Sequence, residues 1–291
     1  KSAGAGLPLG GGKGLIVADP RTDKSEQMFR SYGRFVDSLG GRYVTTEDVG
    51  ASSQDMEWIS KSTRHVVGLS EELGGSGNPA AVTGFGVFQA MRACAEKSWG
   101  DDSLEGKRVA IQGFGNAAKS LTRYLLEAGA VLIVTDINDE ARRQAASLDT
   151  VSTVDADAIY DVDCDVFSPC ALGATINARS IPRLSAQIIC GAANNQLETQ
   201  EDAQRLVDRN MIYAPDFITN AGGVINVWHE LEQTYNRESA LDRTAKIYDT
   251  TKELLDSSAQ RGITPAEAAN LLAEERLQAA RSALQHSNYE D

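Results

Sequence analysis

The chain of 291 residues is 42% hydrophobic and 24% charged, a globular composition long enough to build two domains. Its 41 acidic against 28 basic side chains give a net charge of −13, which argues against nucleic acid or an anionic membrane as partner. No apolar run approaches the roughly 20 residues that a membrane-spanning helix requires.

The sequence opens inside a glycine-rich loop with no initiator Met, so a preceding segment is expected, and no signal peptide is expected at its head. In "GLPLGGGKGLIV", residues 7–18, three glycines precede Lys13. A phosphate-binding P-loop is excluded, because Gly14 stands where the magnesium-binding Ser or Thr belongs and Leu15 to Val17 reads as a strand. Next comes a helix over 24–40, with Met28, Tyr32, Phe35 and Leu39 at three- and four-residue steps and Gly40-Gly41 ending it. "RYVTTEDVG" reads as a strand that ends near Asp48, and "GGSGNP", 74–79, as a hinge or boundary.

From residue 80 the pattern becomes strand and helix in alternation. A helix over 80–98 is followed by "KRVAIQGF" (strand), "NAAKSLTRYLLEAG" (helix) and "AVLIVTD" (strand). "CDVFSPC", "AQIICGA" and "MIYAPD" are further short apolar runs suited to buried parallel strands. Such alternation predicts a doubly wound α/β sheet. The remainder reads as mostly helical, with weak order expected in the last residues, "QHSNYED". Cys94, Cys164, Cys170 and Cys190 show no C-x-x-C spacing and read as reduced thiols of a cytoplasmic protein rather than as disulfides or metal ligands; no metal is expected. His65, His229 and His286 are scattered and read as structural.

"VAIQGFGNAA" carries Gly113-x-Gly115-x-x-Ala118 at the end of one expected strand and the start of a helix, and Asp136 ends the next strand. That context is the dinucleotide fingerprint: Gly113 for the tight turn, Gly115 for approach of the pyrophosphate, Ala118 for close helix packing. The helix start supplies N–H groups to the phosphates. A carboxylate at Asp136 suits the two ribose hydroxyls and repels a 2′-phosphate, so NAD is favoured over NADP. Hydride transfer at carbon calls for an acid/base nearby. Lys1, Lys13 and Asp48 are the candidates, and a desolvated Lys13 beside a second cation would titrate towards neutrality. A merely structural lysine is the competing reading.

The stretches "GLPLGGGKGLIVADP", "YGRFVDSLGGRYVTTEDVG", "SGNPAAVTGFGVFQAMRA", "VAIQGFGNAAKSL", "LIVTDIN", "CDVFSPCALG", "CGAANNQL" and "YAPDFITNAGGVINV" occur together in this order. Through them the chain resembles the Glu/Leu/Phe/Val amino-acid dehydrogenase family over essentially its whole length, its leucine-specific members most. The resemblance implies a Rossmann-like NAD-binding domain, 76–264, plus a smaller α/β substrate and oligomerisation domain, 1–75 with 265–291, whose N-terminal part is expected to lie upstream. It implies that Lys1 binds the substrate α-carboxylate and that Lys13 is the base activating water against an iminium intermediate, with Asp48 as its proton partner. Thr83 would meet the nicotinamide amide, and Gly113, Phe114, Gly115, Asn116, Ala117 and Ala118 the pyrophosphate. Asp136 and Ile137 would belong to the cofactor site, as would Ala192 and Asn194, the latter beside the nicotinamide ribose. Asn220 would hold the substrate amino acid.

Val224 and Val227, one helical turn apart, correspond to the family's side-chain pocket, against ordinary helix packing as the other reading. An apolar wall there disfavours a charged substrate side chain. Thr46 stands where leucine and valine dehydrogenases usually carry alanine. The implied activity is NAD-dependent reversible deamination of a branched-chain L-amino acid to its 2-oxo acid, by a homo-oligomer. A phenylalanine- or tryptophan-preferring enzyme and a catalytically silent NAD-binding relative are the alternatives; a transcription regulator would need a basic recognition helix, and none is read.

Overall fold

The computed structural model describes residues 1–48, 50–231 and 235–287. Of "QHSNYED", residues 288–291 lie outside the described residues, and the final helix runs through Ser287. In chain order the elements are α1 (Glu26–Ser38), α2 (Ser53–Ser60), α3 (Ala80–Trp99), β1 (Arg108–Gln112), α4 (Asn116–Glu127), β2 (Val131–Thr135), α5 (Asp139–Ala146), β3 (Val151–Thr153), β4 (Val166–Pro169), β5 (Ile188–Ile189), α6 (Glu201–Asp208) and β6 (Ile212–Tyr213). After them come α7 (Asp216–Thr219), α8 (Gly222–Leu231), α9 (Arg237–Ala245), α10 (Ile247–Arg261) and α11 (Pro265–Ser287). No helix among the described residues is long and apolar enough to cross a membrane. All four cysteines are free.

Among the described residues the strands form one parallel six-stranded sheet in the order β3-β2-β1-β4-β5-β6. The doubly wound sheet is therefore as expected, and its strand order reverses between β1 and β4. The alternation of side chains along each strand feeds two cores. Val109, Ile111, Leu132, Val134, Val166 and Ile188 face one side with α3, α4 and α10, while Ala110, Ile133, Phe167 and Ile189 face the other with Leu206. Helix α4 buries Leu121 and Leu125 in the first core, and cutting either to alanine would cost about 2–5 kcal/mol. The strand β3 was not read from the sequence: it is three residues at the sheet edge, two of them exposed polar side chains, and its pairing with β2 alone makes it a strand.

Residues 1–75 carry α1 and α2, which pack over a third core of Phe29, Met56, Ile59 and Val66. Ser25 caps α1 by accepting the Met28 N–H, and Ser52 with Asp55 forms a reciprocal capping box on α2. The buried stripe of α1 is Phe29, Gly33 and Val36, about a quarter turn from the expected one: Phe35 is 63% exposed. Gly33 sets this face, because a Cβ there would sit 2.9 Å from the Ile59 carbonyl oxygen of α2. The expected strand at Leu15 to Val17 is not formed. Leu15 and Val17 are exposed while Ile16 packs on the third core, and among the described residues no segment pairs with their backbone. Among the described residues of "RYVTTEDVG", Thr45 alone pairs, in a parallel bridge to Val66.

The opening loop leans on the sheet-bearing part of the chain. Leu7 is buried in the first core, and a Cβ on Gly4 would lie 2.7 Å from the Ile218 side chain of α7. Arg276 of α11 donates to the carbonyls of Ala3 (3.3 Å) and Gly4 (2.5 Å), and Arg243 of α9 donates to that of Gly6 (2.7 Å). Helix α11 also packs along α10.

Candidate active site

The carboxyl ends of β1, β4 and β5 open the crevice at the reversal of strand order, where doubly wound sheets take their ligands. Gly113 ends β1 at φ +94°, and a Cβ there would sit 2.7 Å from that of Ala171, just past β4. Only glycine makes this turn. Gly115 is different in kind: its backbone is extended, and nothing lies within 4 Å of where its Cβ would project. This open face lies at the start of the twelve-residue helix α4, whose first N–H groups point outward. Ala118 is buried against the sheet, Asn116 is exposed and Ala117 half-buried. Asp136 follows β2, and its carboxylate already accepts the Phe114 N–H at 2.7 Å and the Asn138 N–H at 2.8 Å. Phe114 itself is a core side chain, so its expected contribution is a backbone one, and that N–H is held by Asp136. Each Asp136 oxygen keeps acceptor capacity for a diol. Ile137 beside it is 89% exposed, an apolar surface at the crevice mouth. Turn, open glycine, helix start and strand-end carboxylate together fit an adenine dinucleotide.

Across the crevice, three residues read as site residues meet. Lys1 Nζ donates to Asn194 Oδ1 at 2.9 Å, and Asn220 Nδ2 donates to the same oxygen at 2.8 Å. Asn220 is 4% exposed and also donates to the Ala192 carbonyl at 3.0 Å, while its own Oδ1 is buried without a hydrogen-bond partner. An orphan acceptor of this kind costs roughly 1–3 kcal/mol unless a donor is brought to it. Desolvation is the largest influence on the Lys1 ammonium and lowers its pKa from the usual lysine value; Asp216 opposes this, Lys13 lowers it further and Asp48 opposes it.

Lys13 pairs with Asp48, as the sequence suggested, but the pair lies in the open: the two side chains keep 80% and 52% of their surface in solvent. The desolvation expected at Lys13 is found at Lys1. The glycines around Lys13 answer to two tyrosines. A Cβ on Gly14 would overlap the Tyr32 phenol, one on Gly12 would crowd the Tyr43 ring at 3.1 Å, and the Gly14 N–H donates to the Tyr43 hydroxyl at 3.1 Å. The rings press on bare backbone and leave the lysine standing beyond them.

Val224 and Val227 lie on α8, half-buried and 7% exposed respectively, with Val224 packed on the first core. Thr83, on α3, donates to the Pro79 carbonyl at 3.0 Å, and its hydroxyl stands 2.7 Å from where a Gly223 Cβ would be. Thr46 is half-buried, with a hydroxyl oxygen that has no hydrogen-bond partner and lies 2.9 Å from where a Gly68 Cβ would be.

Two acidic residues of this region escaped the sequence reading. Asp216 opens α7 and takes the Phe217 N–H at 2.7 Å and the Gln196 N–H at 3.4 Å, thereby tying the loop of Asn194 to the helix that leads to Asn220. Glu230, on α8, takes two backbone N–H groups from residues more than 150 positions away. Asp216 stands within the quoted "YAPDFITNAGG", which is the signal that could have found it. Glu230 has none.

Comparison with known proteins identifies the family. Residues 74–141 and 134–284 match the family described as "Glutamate/Leucine/Phenylalanine/Valine dehydrogenase", and residues 1–65 match "Glu/Leu/Phe/Val dehydrogenase, dimerisation domain". The chain is 50% identical to the leucine dehydrogenase of Bacillus cereus over 277 residues, which cover 95% of this chain and 75% of that one. It is similar in structure to L-tryptophan dehydrogenase from Nostoc punctiforme, with TM-score 0.80, 40% identity, and coverage of 96% of this chain and 80% of that one. A hetero-hexameric glutamate dehydrogenase from Thermus thermophilus shares the fold, at TM-score 0.79 and 22% identity over 96% of this chain and 74% of that one.

Proposed function

We propose, for a chain that belongs to the glutamate/leucine/phenylalanine/valine dehydrogenase family, the NAD-dependent, reversible oxidative deamination of a branched-chain L-amino acid, leucine foremost, to its 2-oxo acid and ammonia. The observation that carries this reading is the convergence of Lys1 and Asn220 on Asn194, with an unpartnered Asn220 oxygen beside them.

In this reading the Lys1 ammonium pairs with the substrate α-carboxylate, and Asn220 Oδ1 accepts a hydrogen bond from the substrate amino group. Bound NAD supplies a hydride acceptor for the substrate α-carbon. Asp136 holds the adenosine ribose hydroxyls and rejects a 2′-phosphate, the start of α4 faces the pyrophosphate, and Thr83, Ala192 and Asn194 stand on the nicotinamide side. Once the substrate ammonium has given up a proton, loss of hydride from the α-carbon leaves an iminium. Lys13 takes a proton from the water that adds to it, and Asp48 shares that proton through the ion pair. The pair then returns a proton to the carbinolamine nitrogen and takes the hydroxyl proton, so the C–N bond breaks to release ammonia as the C=O bond of the 2-oxo acid forms. Closure about 74–79 withdraws water from the Lys13–Asp48 pair, whose side chains keep 80% and 52% of their surface in solvent.

Residues 1–75 with 265–291 form the substrate and oligomerisation unit, and 76–264 the NAD-binding unit. The match of residues 1–65 to a dimerisation domain supports assembly as a homo-oligomer. Four free thiols support a cytoplasmic location. Likeness to L-tryptophan dehydrogenase supports an aromatic-preferring alternative. NADH production measured separately with leucine, valine, phenylalanine and tryptophan decides: leucine leads on the main reading, and equal rates with all four contradict a shaped pocket.

A further inference from the structure

The Glu230 carboxylate is spent on two backbone groups of one distant segment. Its Oε2 accepts the Gly68 N–H at 2.8 Å and the Ser76 N–H at 2.9 Å. Asn226, one turn earlier on α8, adds a contact from the same helix, donating to the Ser76 carbonyl at 3.3 Å. Charge-assisted acceptance of two N–H groups by one oxygen fixes a helix to a loop more firmly than packing alone.

What this grip holds in register is the expected side-chain pocket. Val224, Val227 and Glu230 follow at three-residue steps, so Val227 is the surface neighbour of both Val224 and Glu230 on α8. On the other side, the Thr45 N–H donates to the His65 carbonyl at 3.0 Å and the Val67 N–H to the Thr45 carbonyl at 2.9 Å, so residues 45–46 move with 65–68. Gly68 lies under Thr46: its φ of +80° and the Thr46 hydroxyl 2.9 Å from its absent Cβ leave no room for another residue. A single oxygen therefore joins the wall bearing Thr46 to the wall bearing Val224 and Val227.

From this we infer that Glu230 is a positioning residue for substrate selection: by gripping Gly68 and Ser76 it sets the separation of the two pocket walls, and with it the discrimination between aliphatic side chains of different length. The inference rests on the pocket assignment proposed above.

The test compares Glu230→Ala with Glu230→Gln, whose amide oxygen can still accept both N–H groups. The readouts are the ratio of kcat/KM for leucine over valine and the exchange rates of the Gly68 and Ser76 amides. Discrimination of one methylene is worth about 10–200-fold, so E230A is expected to lower the ratio about tenfold while E230Q stays within about twofold. The two amides are expected to exchange at least about tenfold faster in E230A and as in the parent in E230Q. Glu230→Asp, shorter by one carbon–carbon bond, serves if E230A does not fold, with the same signs expected. An unchanged ratio in E230A, or an equal loss in E230A and E230Q, overturns the inference. Turnover of no amino acid would instead sink the functional reading and the selectivity role with it, while amide exchange alone would still report whether the grip exists.

Discussion

Lys13 and Asp48 form an ion pair in which both partners remain open to solvent, one at 80% and the other at 52% of side-chain surface. An exposed pair contributes little to stability. Its removal should therefore separate catalysis from folding. Lys13→Ala is expected to lower kcat/KM for leucine about 10²–10⁴-fold, the range for loss of a general base, with the thermal midpoint and NADH affinity unchanged. Wild-type rates in that variant would remove Lys13 from the mechanism.

Lys1 should show itself through pH. On the proposed reading it must keep its proton to pair with the substrate carboxylate, and desolvation lowers its pKa from 10.5. The KM for leucine is thus expected to rise on the alkaline side at a pH below that of an ordinary lysine. Lys1→Arg, charged throughout, should move that rise upward. Stability has the opposite sign. The native chain releases this proton more readily than the unfolded one, so stability grows as pH climbs from the lowered value towards 10.5. Urea midpoints of the chain and of Lys1→Gln across that interval check this: the variant should lack the gain.

The two glycines of the fingerprint turn should fail in different ways. Gly113→Ala forces a side chain into φ +94° against Ala171 and is expected to cost about 1–3 kcal/mol of stability. Gly115→Val meets no protein atom within 4 Å of its new Cβ, so the fold should hold while NADH affinity falls. Thermal melts and NADH fluorescence titrations on both variants separate the two effects. Equal loss of NADH affinity without any loss of stability in Gly113→Ala would contradict the turn argument.

Asp136→Ser should relax the choice of cofactor. Removing a like charge from the ribose end is expected to raise the NADP over NAD ratio of kcat/KM about tenfold or more. The variant also gives up the bond to the Phe114 N–H, so some NAD affinity goes with it. An unchanged ratio would show that another group reads the ribose.

Much of the nucleotide side could be read from the sequence because its signals are local. Gly113, Gly115, Ala118 and Asp136 sit within one strand–helix–strand unit, and turn chemistry there depends on near neighbours. The substrate side could not be read in the same way. Lys1 meets Asn194 across 193 positions, and Glu230 meets Gly68 across 162, so desolvation at one and the grip of the other exist only in the folded chain. The apolar residues at 15–17 carried a strand-like composition, but composition says nothing of whether a neighbouring strand is present. On α1, periodicity found the helix and missed its face, since Gly33, with no side chain to score, sits at the closest approach to α2.

Arg276 holds the carbonyls of Ala3 and Gly4 from the far end of the sequence, 273 and 272 positions on. During translation these arginine contacts wait until α11 has left the ribosome, roughly 15–50 s after residues 3 and 4 at about 5–20 residues per second. Until then the loop bearing Lys1 can draw on Arg243 alone, at the Gly6 carbonyl, and the Ala3 and Gly4 carbonyls lack their arginine donor.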